Sequence, residues 1–177
     1  MEQESLKFPI GKCQIPEVIT SDALQNAIID IRTLPQRVED ALNRLSEHKW
    51  DIPYRPNGWT VRQVVHHLAD SHMNALMRLK LALTESNPSI KPYLEAAWAE
   101  LPDYRLDPQV SLGLLRGIHS HWSALLTSLS ESQWKRTFFH PENQQTTSLM
   151  THTLLYQWHG NHHLAHLNLL HNPRHIY

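Results

Sequence analysis

Near the C-terminal end, Trp158-His159-Gly160-Asn161-His162-His163-Leu164-Ala165-His166 places four histidines in nine residues, between the apolar flanks Leu154-Leu155-Tyr156 and Leu167, Leu169 and Leu170. On a helix turning about 100° per residue, His159 and His163 stand on successive turns, their Cβ atoms about 5–6 Å apart. Two imidazoles so spaced can reach one ion at about 2.0–2.1 Å, the zinc–nitrogen distance. Leu155 and Leu170 bracket the same face, so the histidines fall on a core-directed stripe. Imidazoles placed there need partners for their nitrogens. A metal ion is one answer; the other is a buried histidine pair hydrogen-bonded to water or carboxylates. His162 and His166, also four residues apart, form a competing pair that serves equally as outer partners of an ion or as general bases.

A pair on one helix leaves a catalytic ion short of a third protein ligand. That ligand has to come from a facing helix, and His67 is the candidate, on the edge of a long apolar stripe. Three neutral imidazoles with an open position suit a catalytic site better than a closed structural one. Such an ion lowers the pKa of a bound water to about 7, or binds and ionises a thiol. Nitrogen-only ligation suits zinc, nickel, iron or cobalt.

The elements that would hold these residues are helices. The first is predicted from Thr20 or Ser21 to about Leu45, with Ile28, Ile31, Val38, Leu42 and Leu45 on one face and Pro35 kinking or splitting it. Asp51-Ile52-Pro53-Tyr54-Arg55-Pro56-Asn57-Gly58 reads as a loop. Thr60-Val61-Arg62-Gln63 then matches a capping box, with Trp59 and Val64 placed as a hydrophobic staple. The second helix carries Val61, Val64, Val65, Leu68, Ala75, Leu76, Leu79 and Leu83 inward. His67 lies at the border of that stripe, followed by Ser71, Asn74 and Arg78; His66 points further towards solvent and His72 reads as a core histidine.

Residues 85–106, with Pro88, Pro92 and Pro102, read as a long crossover with one short helix around Leu94–Trp98. Asp107-Pro108 starts the third helix, whose apolar residues are Val110, Leu114, Ile118, Trp122, Leu125 and Leu129. Its His119 and His121 face different ways and read as surface or rim residues. A loop or short hairpin at 130–146 leads to a fourth helix from Thr147 or Ser148, stopping before Asn172-Pro173. Residues 1–19 read as an irregular arm. The prediction is an all-α chain, one domain over 1–177, built as a four-helix bundle whose inward side chains form the site.

The chain of 177 residues is long enough for a full core. Sixteen Lys plus Arg against seventeen Asp plus Glu, with no basic run, exclude nucleic acid as a partner class. No stretch approaches the roughly 20 apolar residues that span a bilayer, and no signal peptide precedes Pro9. The single cysteine, Cys13, excludes an internal disulfide and points to a reducing, cytoplasmic setting. Fourteen histidines, spread through the chain, exceed what packing requires.

Trp59-Thr60-Val61-Arg62-Gln63-Val64-Val65-His66-His67-Leu68-Ala69-Asp70-Ser71-His72 resembles the signature of the DinB superfamily, and the stretch from Trp158 to His166 resembles its second motif. Phe8-Pro9-Ile10-Gly11, Pro53-Tyr54-Arg55-Pro56 and Trp98-Ala99-Glu100-Leu101 are similar to the YfiT group of metal-dependent hydrolases within it. The resemblance covers nearly the whole chain. It implies a homodimer of four-helix bundles, each with one divalent ion, zinc or nickel, on His67, His159 and His163. It also implies hydrolysis of a small molecule by a water on that ion; His162 and His166, from their own spacing, are the candidates for proton transfer. Related DinB-like proteins instead transfer thiols such as bacillithiol or mycothiol, which makes metal-dependent S-transfer the alternative. A non-enzymatic metal-binding protein is the third reading.

Overall fold

The computed structural model describes residues 2–171, and its architecture is a four-helix bundle with short accessory elements. In chain order these are α1 (Glu2–Lys7), α2 (Ser21–Asn43), α3 (Val61–Thr84), α4 (Glu95–Trp98), α5 (Pro108–Ser128), α6 (Glu131–Trp134), β1 (Thr137–His140), β2 (Gln145–Ser148) and α7 (Leu149–Leu169). Helices α2, α3, α5 and α7 form the bundle. The two strands pair antiparallel, Thr137 opposite Ser148, as a small hairpin leading into α7.

Each long helix starts where its sequence offers a cap. The Thr20, Asp107 and Ser148 side chains accept from Ala23, Gln109 and Thr151 backbone amides. At α3 the capping box is complete: Gln63 N–H donates to Thr60 Oγ1 at 3.1 Å, and Thr60 N–H donates to Gln63 Oε1 at 3.0 Å. These bonds satisfy amides that a helix start leaves without partners. The expected stop at Asn172-Pro173 lies outside the described residues.

Helix α2 packs against α5 and α7, and α3 packs against the same two. Consecutive helices α2 and α3 are therefore diagonal, as are α5 and α7. The longest connection, between α3 and α5, joins neighbours, whereas the shorter ones around 44–60 and 129–148 cross the bundle.

Four features of the fold differ from the sequence expectation. Pro35 does not split α2, which runs unbroken through it with Ile31, Leu34, Pro35 and Val38 all buried; packing of that face offsets the lost backbone bond. The N-terminal arm is not wholly irregular, since α1 occupies Glu2–Lys7. On α5 the buried row is Leu112, Leu115, His119, Trp122 and Leu126, while Val110 and Leu114 are exposed. His66 and His119 are buried rather than peripheral.

Two apolar clusters make the core. One gathers Val38, Leu42, Val65, Leu68, Leu112, Leu115 and Leu167; the other gathers Ile31, Ala75, Leu79, Trp122, Leu126, Leu149 and Tyr156. Between them along the helices lie His72 on α3, His119 on α5, and His159 and His163 on α7, with His67 set among the first cluster's residues on α3. The histidines thus form a polar layer through the bundle.

Candidate metal centre

The centre of the layer is built from α3 and α7, neighbours in the bundle. His67, His159 and His163 bring one ring nitrogen each to within 4.8 Å of one another, all three on inward positions. His67 Nε2 and His159 Nε2 are 3.2 Å apart. Two nitrogens bound tetrahedrally to one ion at about 2.0–2.1 Å would stand about 3.3 Å apart, so the pair fits a zinc-sized ion. Trp59 covers the site, its ring centroid 4.6 Å from that of His67 and stacked at 6.3 Å on His163.

Burial keeps these rings neutral. It pushes His67 down to about 4, helped by the nearby His162. His159 and His163 are held well below the ordinary histidine range, again by burial first and by neighbouring imidazoles second. Neutral imidazoles have a free lone pair and are the commonest metal ligands. The donor set therefore suits a divalent ion, with lone pairs and no carboxylate. His67 Nδ1, buried, has no hydrogen-bond partner.

Around the three rings is a shell of further histidines. His159 Nδ1 lies 3.1 Å from His72 Nε2, and His72 Nδ1 lies 2.8 Å from His119 Nε2. His119 Nδ1 in turn donates to the Ile31 carbonyl. On the other side, His163 Nδ1 is 3.4 Å from His166 Nδ1, and His166 Nε2 donates to the Lys7 carbonyl at 3.2 Å. Tyr54 stacks on His166 with centroids 3.9 Å apart.

His162, His163 and His166 form a second group with ring nitrogens within the same span. Its members all stand on α7, with no contribution from a facing helix, and His163 Nδ1 contacts His166 Nδ1 at 3.4 Å. Both nitrogens of His166 are thereby engaged, one by His163 and one by the Lys7 carbonyl. His162 stacks on Trp158 at 4.5 Å, and its buried Nδ1 has no partner; burial holds it at about 4.

Three other histidines are engaged or placed away from the three-histidine group. His66 accepts from Ser111 Oγ at 2.6 Å through Nδ1 and donates to the Leu106 carbonyl at 3.1 Å, away from the centre. His152, at about 3 through burial, donates to the Ala75 carbonyl. His121 is exposed. Cys13 is no activated thiol, because burial raises its pKa. Sequence reasoning missed His119, although Leu112-Leu115-His119-Trp122-Leu126, spaced alternately three and four, is the signal that would have found it.

Comparison with known proteins agrees with this architecture. A family model describing the DinB superfamily matches residues 30–167. YfiT of Bacillus subtilis is 44% identical over 96% of both chains, and a relative from Oceanobacillus iheyensis is 48% identical over 93% of this chain and 95% of its own. Both names assign an inferred metal-dependent hydrolase activity. The solved structure of Bacillus subtilis YfiT, described as an unusual four-helix bundle topology, superposes with a TM-score of 0.90, covering 93% of this chain and 94% of that one. A mycothiol-dependent maleylpyruvate isomerase, 17% identical, shares the fold at a TM-score of 0.58 over 77% of this chain and 57% of its own.

Proposed function

The chain belongs to the DinB superfamily, and from that premise we propose that it is a metal-dependent hydrolase of a small molecule, with His67, His159 and His163 as the ligands of one divalent ion. The observation that carries this reading is the convergence of three neutral, inward-facing imidazole nitrogens within 4.8 Å. Zinc is the ion the donor set favours, with nickel next. When bound, such an ion supplies Lewis acidity, polarising a scissile carbonyl and acidifying water.

The chain's own residues do the rest. Trp59 closes one side of the centre and limits access of bulk water. His162, beside the centre with no partner on its buried Nδ1, is the candidate for proton transfer, whereas His166 is engaged at both nitrogens. Along α3, His67, Ser71, Asn74 and Arg78 follow one another at four-, three- and four-residue spacing. The last two line a largely apolar cavity of about 570 Å³ with Ile90, Pro92, Tyr93 and Trp98. Arg78 donates to Tyr156 Oη at 3.4 Å and has no ion pair among the described residues. The cavity therefore suits a substrate with an apolar body and a polar or anionic end. Exposed Leu106, Val110 and Leu114 at the start and along the outer face of α5 support a homodimer, which molar mass by light scattering tests.

The test is metal content together with turnover. His67→Ala, His159→Ala and His163→Ala each lower bound metal by elemental analysis, while His121→Ala leaves it unchanged. Metal-loaded protein turns over ester or amide substrates and chelator-treated protein does not. Turnover only when bacillithiol is added would refute hydrolysis and assign the centre to S-transfer. Full metal occupancy with no exchangeable water would refute catalysis in favour of metal binding.

A further inference from the structure

Pro35 has no N–H, so the Ile31 carbonyl one turn earlier lacks its intrahelical donor. That carbonyl instead accepts from His119 Nδ1 across the contact of α2 with α5. A carbonyl can only accept, so the His119 proton is on Nδ1 and its Nε2 is a lone pair. His72 Nδ1, 2.8 Å from that lone pair, must then be the donor, which leaves His72 Nε2 as an acceptor. His159 Nδ1, 3.1 Å from it, donates in turn. The chain of donors ends with His159 Nε2 bare, facing His67.

We propose that His119 and His72 are positioning residues that lock His159 in its Nδ1–H tautomer and aim its Nε2 lone pair into the space shared with His67 and His163. The lock stands on hydrogen-bond polarity alone; its consequence for metal affinity rests on the metal reading given above. A second, shorter chain repeats the device. The Lys7 carbonyl, at the end of α1, fixes the His166 proton on Nε2, so His166 Nδ1 accepts from His163 Nδ1 and leaves His163 Nε2 bare. His67 alone is not locked, since its Nδ1 has no partner.

Two bare lone pairs and one adaptable ring cannot satisfy one another. A single His67 Nε2–H can serve His159 or His163, not both. A buried hydrogen-bonded histidine pair would not need this arrangement, whereas a cation satisfies all three nitrogens at once. The outer imidazoles take the place of the carboxylates or carbonyls that usually orient a ligand histidine. They do so without bringing negative charge to the centre, so the ion's full charge remains for its open position.

The experiment compares the wild type, His119→Leu and His119→Gln. The glutamine can donate to the Ile31 carbonyl and accept from His72, keeping the polarity; the leucine cannot. In chelator-treated protein, two-bond nitrogen–proton correlation of the imidazoles reads the tautomer of each ring directly. Nδ1–H is expected at His159 in the wild type and in His119→Gln, with a mixed or reversed tautomer in His119→Leu. Zinc affinity by chelator competition is expected to fall about 10–100-fold in His119→Leu and to recover to within a few-fold in His119→Gln. An Nε2–H tautomer at His159 in the wild type overturns the proposal, and this measurement requires no variant to fold. So does a His119→Leu protein with unchanged tautomer and affinity. If the wild type binds no metal but shows the expected tautomers, the lock stands and the hydrolase reading falls.

Discussion

Acidification should unfold the metal-free protein through its buried histidines. The ordinary histidine pKa is about 6.5. In the folded chain burial holds His67, His119 and His162 at about 4, and His152 and His166 at about 3. The unfolded chain therefore takes up protons below about pH 6.5 that the folded chain refuses until pH 3–4. Where the unfolded state binds more protons, stability rises with pH. The stabilisation is complete above pH 6.5 and is lost as pH falls towards 4. At pH 5, about 1.5 units below the unfolded pKa, each fully buried ring costs about 2 kcal/mol at 1.36 kcal/mol per unit, and the partly solvated His162 costs less. The five rings together reach at most about 10 kcal/mol, comparable to a typical total stability of 5–15 kcal/mol. Urea unfolding of chelator-treated protein at pH 7.5, 6 and 5, followed by circular dichroism, should show the midpoint collapsing by pH 5. Bound metal, which competes with protons at the centre, should delay that collapse. His152→Gln keeps a donor for the Ala75 carbonyl and should lower the slope near pH 5 by about 1.4 kcal/mol per pH unit. A stability at pH 5 within about 1 kcal/mol of that at pH 7.5 would refute neutral burial of these rings.

Three further outcomes follow from local geometry. A Cβ at Gly160 would lie 2.6 Å from Leu34 Cδ2, so Gly160→Ala forces the buried Leu34 side chain out of its place between α2 and α7. Its cost of about 1–3 kcal/mol should exceed the roughly 1 kcal/mol of helix propensity gained, giving a lower urea midpoint and weaker metal binding. Thr60→Ala removes the α3 cap and should cost about 1 kcal/mol, read as a fall in Tm of about 2–4 °C. Asp30 Oδ2 accepts from Gln157 at 2.8 Å and Asn161 at 3.0 Å, tying α2 to the histidine stretch. Asp30→Ala leaves both amides without that acceptor and should cost about 1–3 kcal/mol in urea titrations.

The four helices and their starts were legible in the sequence because caps and periodicity act locally. Thr60 with Gln63, Asp107 with Pro108, and Ser148 each mark a start within one turn, whatever the helix later packs against. The spacing of His159 and His163 was legible for the same reason, being set by one helix. Which face of α5 points inward was not. Val110-Leu114-Ile118-Trp122 repeats every four residues and drifts about 40° per step, whereas Leu112-Leu115-His119-Trp122-Leu126 holds one face. Both rows contain apolar residues, and only packing against α2 and α3 chose between them. That choice buries His119 and leaves Leu114 outside. The end of the histidine chain is likewise a tertiary fact. Pro35 reads in sequence as a break, yet in the bundle α2 continues and the proline's missing N–H frees the Ile31 carbonyl for a ring 88 residues away. No local pattern encodes that contact, because it joins α2 to α5 and acts on α7 through α3. Sequence alone determined what each helix carries; the arrangement of four helices around one layer decided which imidazoles meet and which nitrogens remain bare.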